Sequence, residues 1–135
     1  MRSRTLGWLV APVVAVSLLI AVATPAAQAA MRTTRVTVTA GKPSEFAFEL
    51  SRKSVPVGAV VFTVVNRGSL SHTFKVCVSP RGGKANSCKG KGTKLLVRGH
   101  RSTLRFVFAK KGTYEYLCTV PGHAAAGMKG DLKVR

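Results

Sequence analysis

Acidic residues are scarce in this chain: Glu45, Glu49, Glu115 and Asp131 are the only four in 135 residues, against 22 Lys and Arg, for a net charge of +18. An acidic or charge-balanced surface is thereby excluded. Histidine is scarce too. His72, His100 and His123 are the full set, with no His-x-His pair, which excludes a chain that holds several histidine-bound metals. No stretch has a convincing helical period and no internal repeat is present. Beyond the N-terminus, no apolar run approaches the roughly 20 residues of a membrane-spanning helix. The single tryptophan, Trp8, lies in the N-terminal leader.

That leader has the order of a secretory signal: Arg2 and Arg4, an apolar run from Trp8 to Ala23, then small residues from Pro25 to Ala30. A cut after Ala29 satisfies the small-x-small rule through Ala27 and Ala29, which makes residues 1–29 a signal peptide and 30–135 one mature domain. The alternative is a retained anchor, for which the run Trp8–Ala23 is short. No cysteine sits at the cut, so nothing suggests a lipid anchor. The expected location is outside the cytoplasm: periplasmic, extracellular or held at the outer face of the membrane.

Between Ser79 and Arg101 there are seven Lys or Arg and no acid. Such a stretch makes a positive surface that attracts acidic proteins, anionic lipid headgroups or polyanions; the alternative is a solvated face that keeps the protein soluble. No specific nucleic-acid partner is expected, and the protein is expected to be a monomer.

Short β-rich runs alternate with turn residues along the mature chain, so it reads as all-β, a sandwich of about seven to eight strands. The candidate strands are Arg35–Thr39, Glu45–Leu50, Ala59–Asn66, Ser71–Val78, Lys94–Arg98, Ser102–Phe108, Thr113–Cys118 and Gly130–Val134. Turns follow at Gly41-Lys42-Pro43, Pro56-Val57-Gly58, Asn66-Arg67-Gly68 and Lys110-Lys111-Gly112. Alternation places Phe46 with Phe48, Leu104 with Phe106 and Phe108, and His72 with Phe74, Val76 and Val78. Tyr114 and Tyr116 are expected on opposite faces of their strand. Residues Ser79–Thr93 read as an irregular loop.

The run from Tyr114 to Gly130 concentrates Cys118, His123 and Met128 in eleven residues. A thiolate, an imidazole and a thioether suit copper cycling between two oxidation states, whereas a tetrahedral zinc site rarely recruits Met. His72, on the inward row of another strand, is the natural fourth donor. Two His, one Cys and a distant Met define a type 1, or blue, copper site. His100, beside Gly99, has no ligand spacing around it and reads as exposed. Three cysteines in an exported chain cannot all pair with one another. With Cys118 in the metal pattern, Cys77 and Cys88 become the candidate disulfide; two free thiols are the alternative.

These residues resemble the cupredoxins, and among them the small plastocyanin- and azurin-like proteins. The likeness rests on Asn66-x-Gly68 with His72-Thr73-Phe74, on Gly112-Thr-Tyr114-x-Tyr116-x-Cys118, and on Pro121-Gly122-His123 leading to Gly127-Met128-x-Gly130. It implies a Greek-key β-sandwich with one copper ion near one end, held strongly by His72, Cys118 and His123 and weakly by an axial Met128. It further implies an electron carrier, not an enzyme, whose His123 ring edge reaches the surface through a small apolar patch of Pro121, Gly122 and Ala124–Ala126. Its partners would be redox proteins, acidic or membrane-associated. Two other functions stand beside it: a multicopper oxidase or reductase, which would need additional His-rich copper sites that three histidines do not supply, and a module that delivers copper or docks on polyanions, with secondary redox activity. Thr73 stands where the family often has Asn with its amide directed at the Cys sulfur; the Thr73 backbone amide can still donate to Cys118, whereas a side-chain lock, to Thr119 for instance, is left open by the residue type. Four residues separate Cys118 from His123 and four separate His123 from Met128, a longer first half than in typical plastocyanins.

The leader generates one prediction. Exported protein should begin at Ala30 by mass spectrometry and, having lost Trp8, show tyrosine-only fluorescence; tryptophan emission from exported material would mean that the leader is kept.

Overall fold

The structure is a computed structural model that describes residues 33–80 and 86–135; the expected leader over 1–29 lies outside the described residues, as do Arg81 and Lys84 of the basic loop. Nine strands and no helix are found among the described residues. They are β1 (Thr34–Ala40), β2 (Phe48–Leu50), β3 (Ser54–Val55), β4 (Gly58–Asn66), β5 (Lys75–Pro80), β6 (Gly90–Gly92), β7 (Arg101–Phe108), β8 (Gly112–Leu117) and β9 (Lys129–Val134). One sheet runs β2-β1-β4-β7 and the other β3-β9-β8-β5-β6. The chain passes repeatedly from one sheet to the other, and the expected all-β sandwich is what forms.

The core forms where alternating side chains of the two sheets meet. On β7, Leu104, Phe106 and Phe108 point inward while Arg101, Thr103, Arg105 and Val107 stay exposed, as the period of two requires. Phe74 lies fully buried among the rings of Phe48, Phe62 and Tyr116, at centroid distances of 5.2 to 5.5 Å. Edge and tilted ring pairs of this kind add to the area term that holds the sheets together. A second, smaller cluster of Ala40, Cys118 and Met128, with Phe48 and Val120 against it, occupies the region where β8 ends and β9 begins.

Several expectations are corrected. The strand expected over Glu45–Leu50 shrinks to Phe48–Leu50, because Gly41 donates to the Ala47 carbonyl and Ala47 to that of Ser44, winding Glu45 and Phe46 into a turn. The strand expected over Ser71–Val78 begins at Lys75. His72 exchanges both backbone hydrogen bonds with Leu96, the one bridge left of the strand expected over Lys94–Arg98. Two short strands not expected, β3 and β6, bring the number to nine, and β6 lies inside the stretch read as an irregular loop. Val78 is 54% exposed and not inward, since the β5–β8 register shifts between Val76 and Pro80 and breaks the alternation. Tyr114 and Tyr116 share the core face, being two residues apart on one strand, while the intervening Glu115 is buried on the other.

Cys77 and Cys88 form a disulfide with Cα atoms 5.6 Å apart, joining β5 to the segment that leads into β6. Its sequence separation is 11. Removing both cysteines as the Cys77→Ser, Cys88→Ser double variant should cost about 2 to 3 kcal/mol of stability, mainly by freeing the unfolded chain. A urea midpoint that does not move would contradict this.

Candidate metal centre

Asn66, at the end of β4, organises the approach to His72. Fully buried, it donates from Nδ2 to the carbonyls of Leu70 (2.7 Å) and Leu96 (2.8 Å), and its Oδ1 accepts the Gly68 amide at 2.8 Å. One side chain thus ties the 66–70 turn to the segment that pairs with His72. Gly68 leaves room for the side chains behind it: a Cβ there would run into His72 Nε2 and Glu45 Oε1, and one of the two would have to shift. The backbone at Gly68 is in turn crowded by Gly41, at φ +77°, where a Cβ would overlap it. These contacts give the Asn-x-Gly pattern its physical reason.

The other donors come from the β8–β9 connection. Cys118 follows β8 directly, Met128 immediately precedes β9, and Cys118 donates its amide to the Met128 carbonyl at 3.0 Å, so the ladder holds the loop closed. Within the loop, His123 donates to Val120, Ala126 to Gly122 and Met128 to His123, at 2.9 to 3.1 Å. Gly122 (φ +82°) and Gly127 (φ +109°) take the left-handed turns. Gly130 faces Tyr116 across the ladder, where a Cβ would overlap the ring.

Three donor atoms converge. His72 Nδ1 lies 3.1 Å from His123 Nδ1, which lies 3.5 Å from Cys118 Sγ, and one ligand atom from each residue falls within a 4.8 Å circle. Two ligands each about 2.0 to 2.3 Å from a shared ion, in trigonal arrangement, stand roughly 3.5 Å apart, so the spacing fits a single small cation. Cys118 is a free, buried thiol. Burial, and then the facing His72 ring, hold His123 below the ordinary imidazole range, with Glu45 opposing, so His123 is neutral and able to ligate near pH 7. Met128 is completely buried and packs in the same cluster as Cys118. His100 is exposed on its loop, as expected.

The sulfur is also addressed by Thr73. Its backbone N lies 3.4 Å and its Oγ1 3.7 Å from Cys118 Sγ; Oγ1 further accepts the Thr119 amide at 2.7 Å and meets Thr119 Oγ1 at 2.8 Å. A hydroxyl therefore locks the two donor-bearing segments together.

Two residues at the site were not anticipated. Glu45 accepts the Ser69 and Leu70 amides at 2.8 and 2.9 Å and meets His72 Nε2 at 2.8 Å. Those two amides first, and then the His72 ring, outweigh partial burial and lower its pKa to about 2. Phe46, 36% exposed, stands edge-on to His123 at 5.1 Å. The one available signal was that a metal-binding histidine needs an acceptor for its second ring N–H, and acids are few. His123 keeps only 9% of its surface exposed, next to exposed Pro121, Gly122, Ala125 and Ala126; Ala124, expected in that surface patch, is buried beneath it.

A sequence profile described as copper-binding proteins of the plastocyanin/azurin family matches residues 34–135. The chain belongs to that family. Auracyanin-B of Chloroflexus aurantiacus is 48% identical over 42 residues, which are 31% of this chain and 18% of that protein's length. The solved auracyanin B structure superposes with a TM-score of 0.60 at 26% identity, covering 76% of this chain and 88% of that one. Rusticyanin from Thiobacillus ferrooxidans gives 0.62 at 26% identity, covering 76% and 77%. Within this family's fold, the thiol and two imidazoles gathered here are the donor set that suits copper.

Because Gly68 has no room for a Cβ, Gly68→Ala should weaken copper binding by about ten- to a hundredfold, the range seen when the groups behind a ligand are disturbed. Chelator competition measures it, with circular dichroism confirming that the sandwich persists; unchanged affinity would show that the contact yields.

Proposed function

We propose that this chain is an exported mononuclear type 1 copper protein that carries single electrons between redox partners, with His72, Cys118 and His123 as strong ligands and Met128 as the weak axial one. The observation that carries this reading is the convergence of two imidazole nitrogens and one thiol sulfur at ligand spacing, beside a buried methionine. Bound copper supplies the one-electron Cu(I)/Cu(II) couple. Everything else is done by the chain. Its two-sheet frame and the closed 118–128 loop keep the donors in one place for both charge states, so little has to move when an electron arrives or leaves. Burial of Cys118 and His72 excludes water from the donor atoms. His123, edged by Phe46 and by small exposed residues, is the point at which a partner approaches.

The same burial argues against a role in copper delivery, which favours open sites that exchange ligands readily. Residues 1–29 are the signal peptide and 30–135 the mature domain, which puts the carrier in the periplasm, outside the cell or at the outer face of the membrane. Its partners are redox proteins, acidic or membrane-associated, drawn by the excess of Lys and Arg.

Copper-loaded protein should show an intense visible absorption and a type 1 spin-resonance spectrum, both lost in Cys118→Ser; a colourless copper-loaded protein would defeat the reading. Oxidation of the reduced form by an anion such as hexacyanoferrate(III) should slow as salt rises. A rate that is flat or rising with salt would remove the electrostatic part alone.

A further inference from the structure

Glu45 occupies a place that ordinary surface chemistry does not explain. In a chain with four acids and 22 bases, this carboxylate meets a buried imidazole. Three donors fix it: the amides of Ser69 and Leu70 and Nε2 of His72, all within 2.9 Å. The absent Cβ at Gly68 makes the space. We propose that Glu45 is a positioning residue that holds His72 in the tautomer able to bind copper and, through its charge, sets the site's preference for the oxidised ion.

The first half follows from the inventory of protons. An ionised carboxylate only accepts, so an imidazole with a single N–H that meets it through Nε2 carries its proton there, facing Glu45. Nδ1 is then left with a bare lone pair, and Nδ1 is the atom that faces His123 and lies in the donor cluster. A carboxylate behind a ligating histidine also raises the basicity of the ligand.

The second half is a count of charge. Cupric ion, one thiolate and two neutral imidazoles sum to +1, and the cuprous site to zero. Adding Glu45 makes these zero and −1. One electron enters and no proton moves, so the carboxylate favours the oxidised state over the reduced one. His72 is fully buried, which leaves little water to screen the pair. The plain alternative is that Glu45 only ties down the Ser69 and Leu70 amides.

The inference rests on the copper reading above, and the test separates the two. In Glu45→Gln, the amide oxygen can still accept on the His72 side while the charge is lost. We expect this variant to remain blue and its Cu(II)/Cu(I) equilibrium to shift about tenfold toward Cu(I), which raises the midpoint potential by about 59 mV for a one-electron couple. Glu45→Asp, which retains the charge, should recover most of that shift. A blue Glu45→Gln protein with the wild-type potential, even one of lower stability, overturns the role given to Glu45 and leaves the copper site standing. Wild-type protein that takes up copper without colour overturns the copper reading itself. Should Glu45→Gln fail to fold, nitrogen NMR of the wild-type copper-free protein decides: a proton held on Nε2 of His72 supports the proposal, and a proton on Nδ1 overturns it.

Discussion

Two ring nitrogens that face each other at 3.1 Å, with a thiol sulfur 3.5 Å from one of them, can be reconciled only by sharing a proton or a cation. Left to a flexible chain, such groups would turn away and find water. Here they are prevented from doing so on each side. Asn66 and the Leu96 bridge hold the backbone of His72, the β8–β9 ladder holds Cys118 and Met128, and the loop between them is closed by its own hydrogen bonds. The sandwich core, with Phe74 at its centre, is what makes these supports stiff.

Thr73 and Glu45 extend the same logic outward. Thr73 bridges the segment carrying the first histidine to the residue after the cysteine, so that neither segment shifts without the other. Glu45 occupies the far nitrogen of His72 and anchors the turn before it. A donor set is thus backed by one neutral and one charged lock, each answering a polar atom that burial would otherwise leave unpaired.

Charge is distributed with similar economy. Of the four acids, Glu45 is engaged at the site and Glu115 is buried, which leaves Glu49 and Asp131 exposed. The surface acids are therefore fewer than the overall count implies.

The sequence alone determined the fold class and the identity of the three converging donors, and it named the candidate disulfide pair that the fold then joins. These follow from residue type and from short-range spacing: alternation, the leftover third cysteine, and soft donors gathered in one loop. Only the tertiary structure decided where strands stop and which groups back the ligands. Glu45 and Phe46 were read as the start of a strand because the run is β-rich, yet a turn from Gly41 to Ala47 swings them to the site, and that turn is set by contacts with Gly68 and His72 far along the chain. Val78 leaves the core for the same kind of reason, since a bulge depends on the partner strand. Period and composition are local properties, whereas a carboxylate meeting a ring nitrogen 27 positions away is a property of the folded whole.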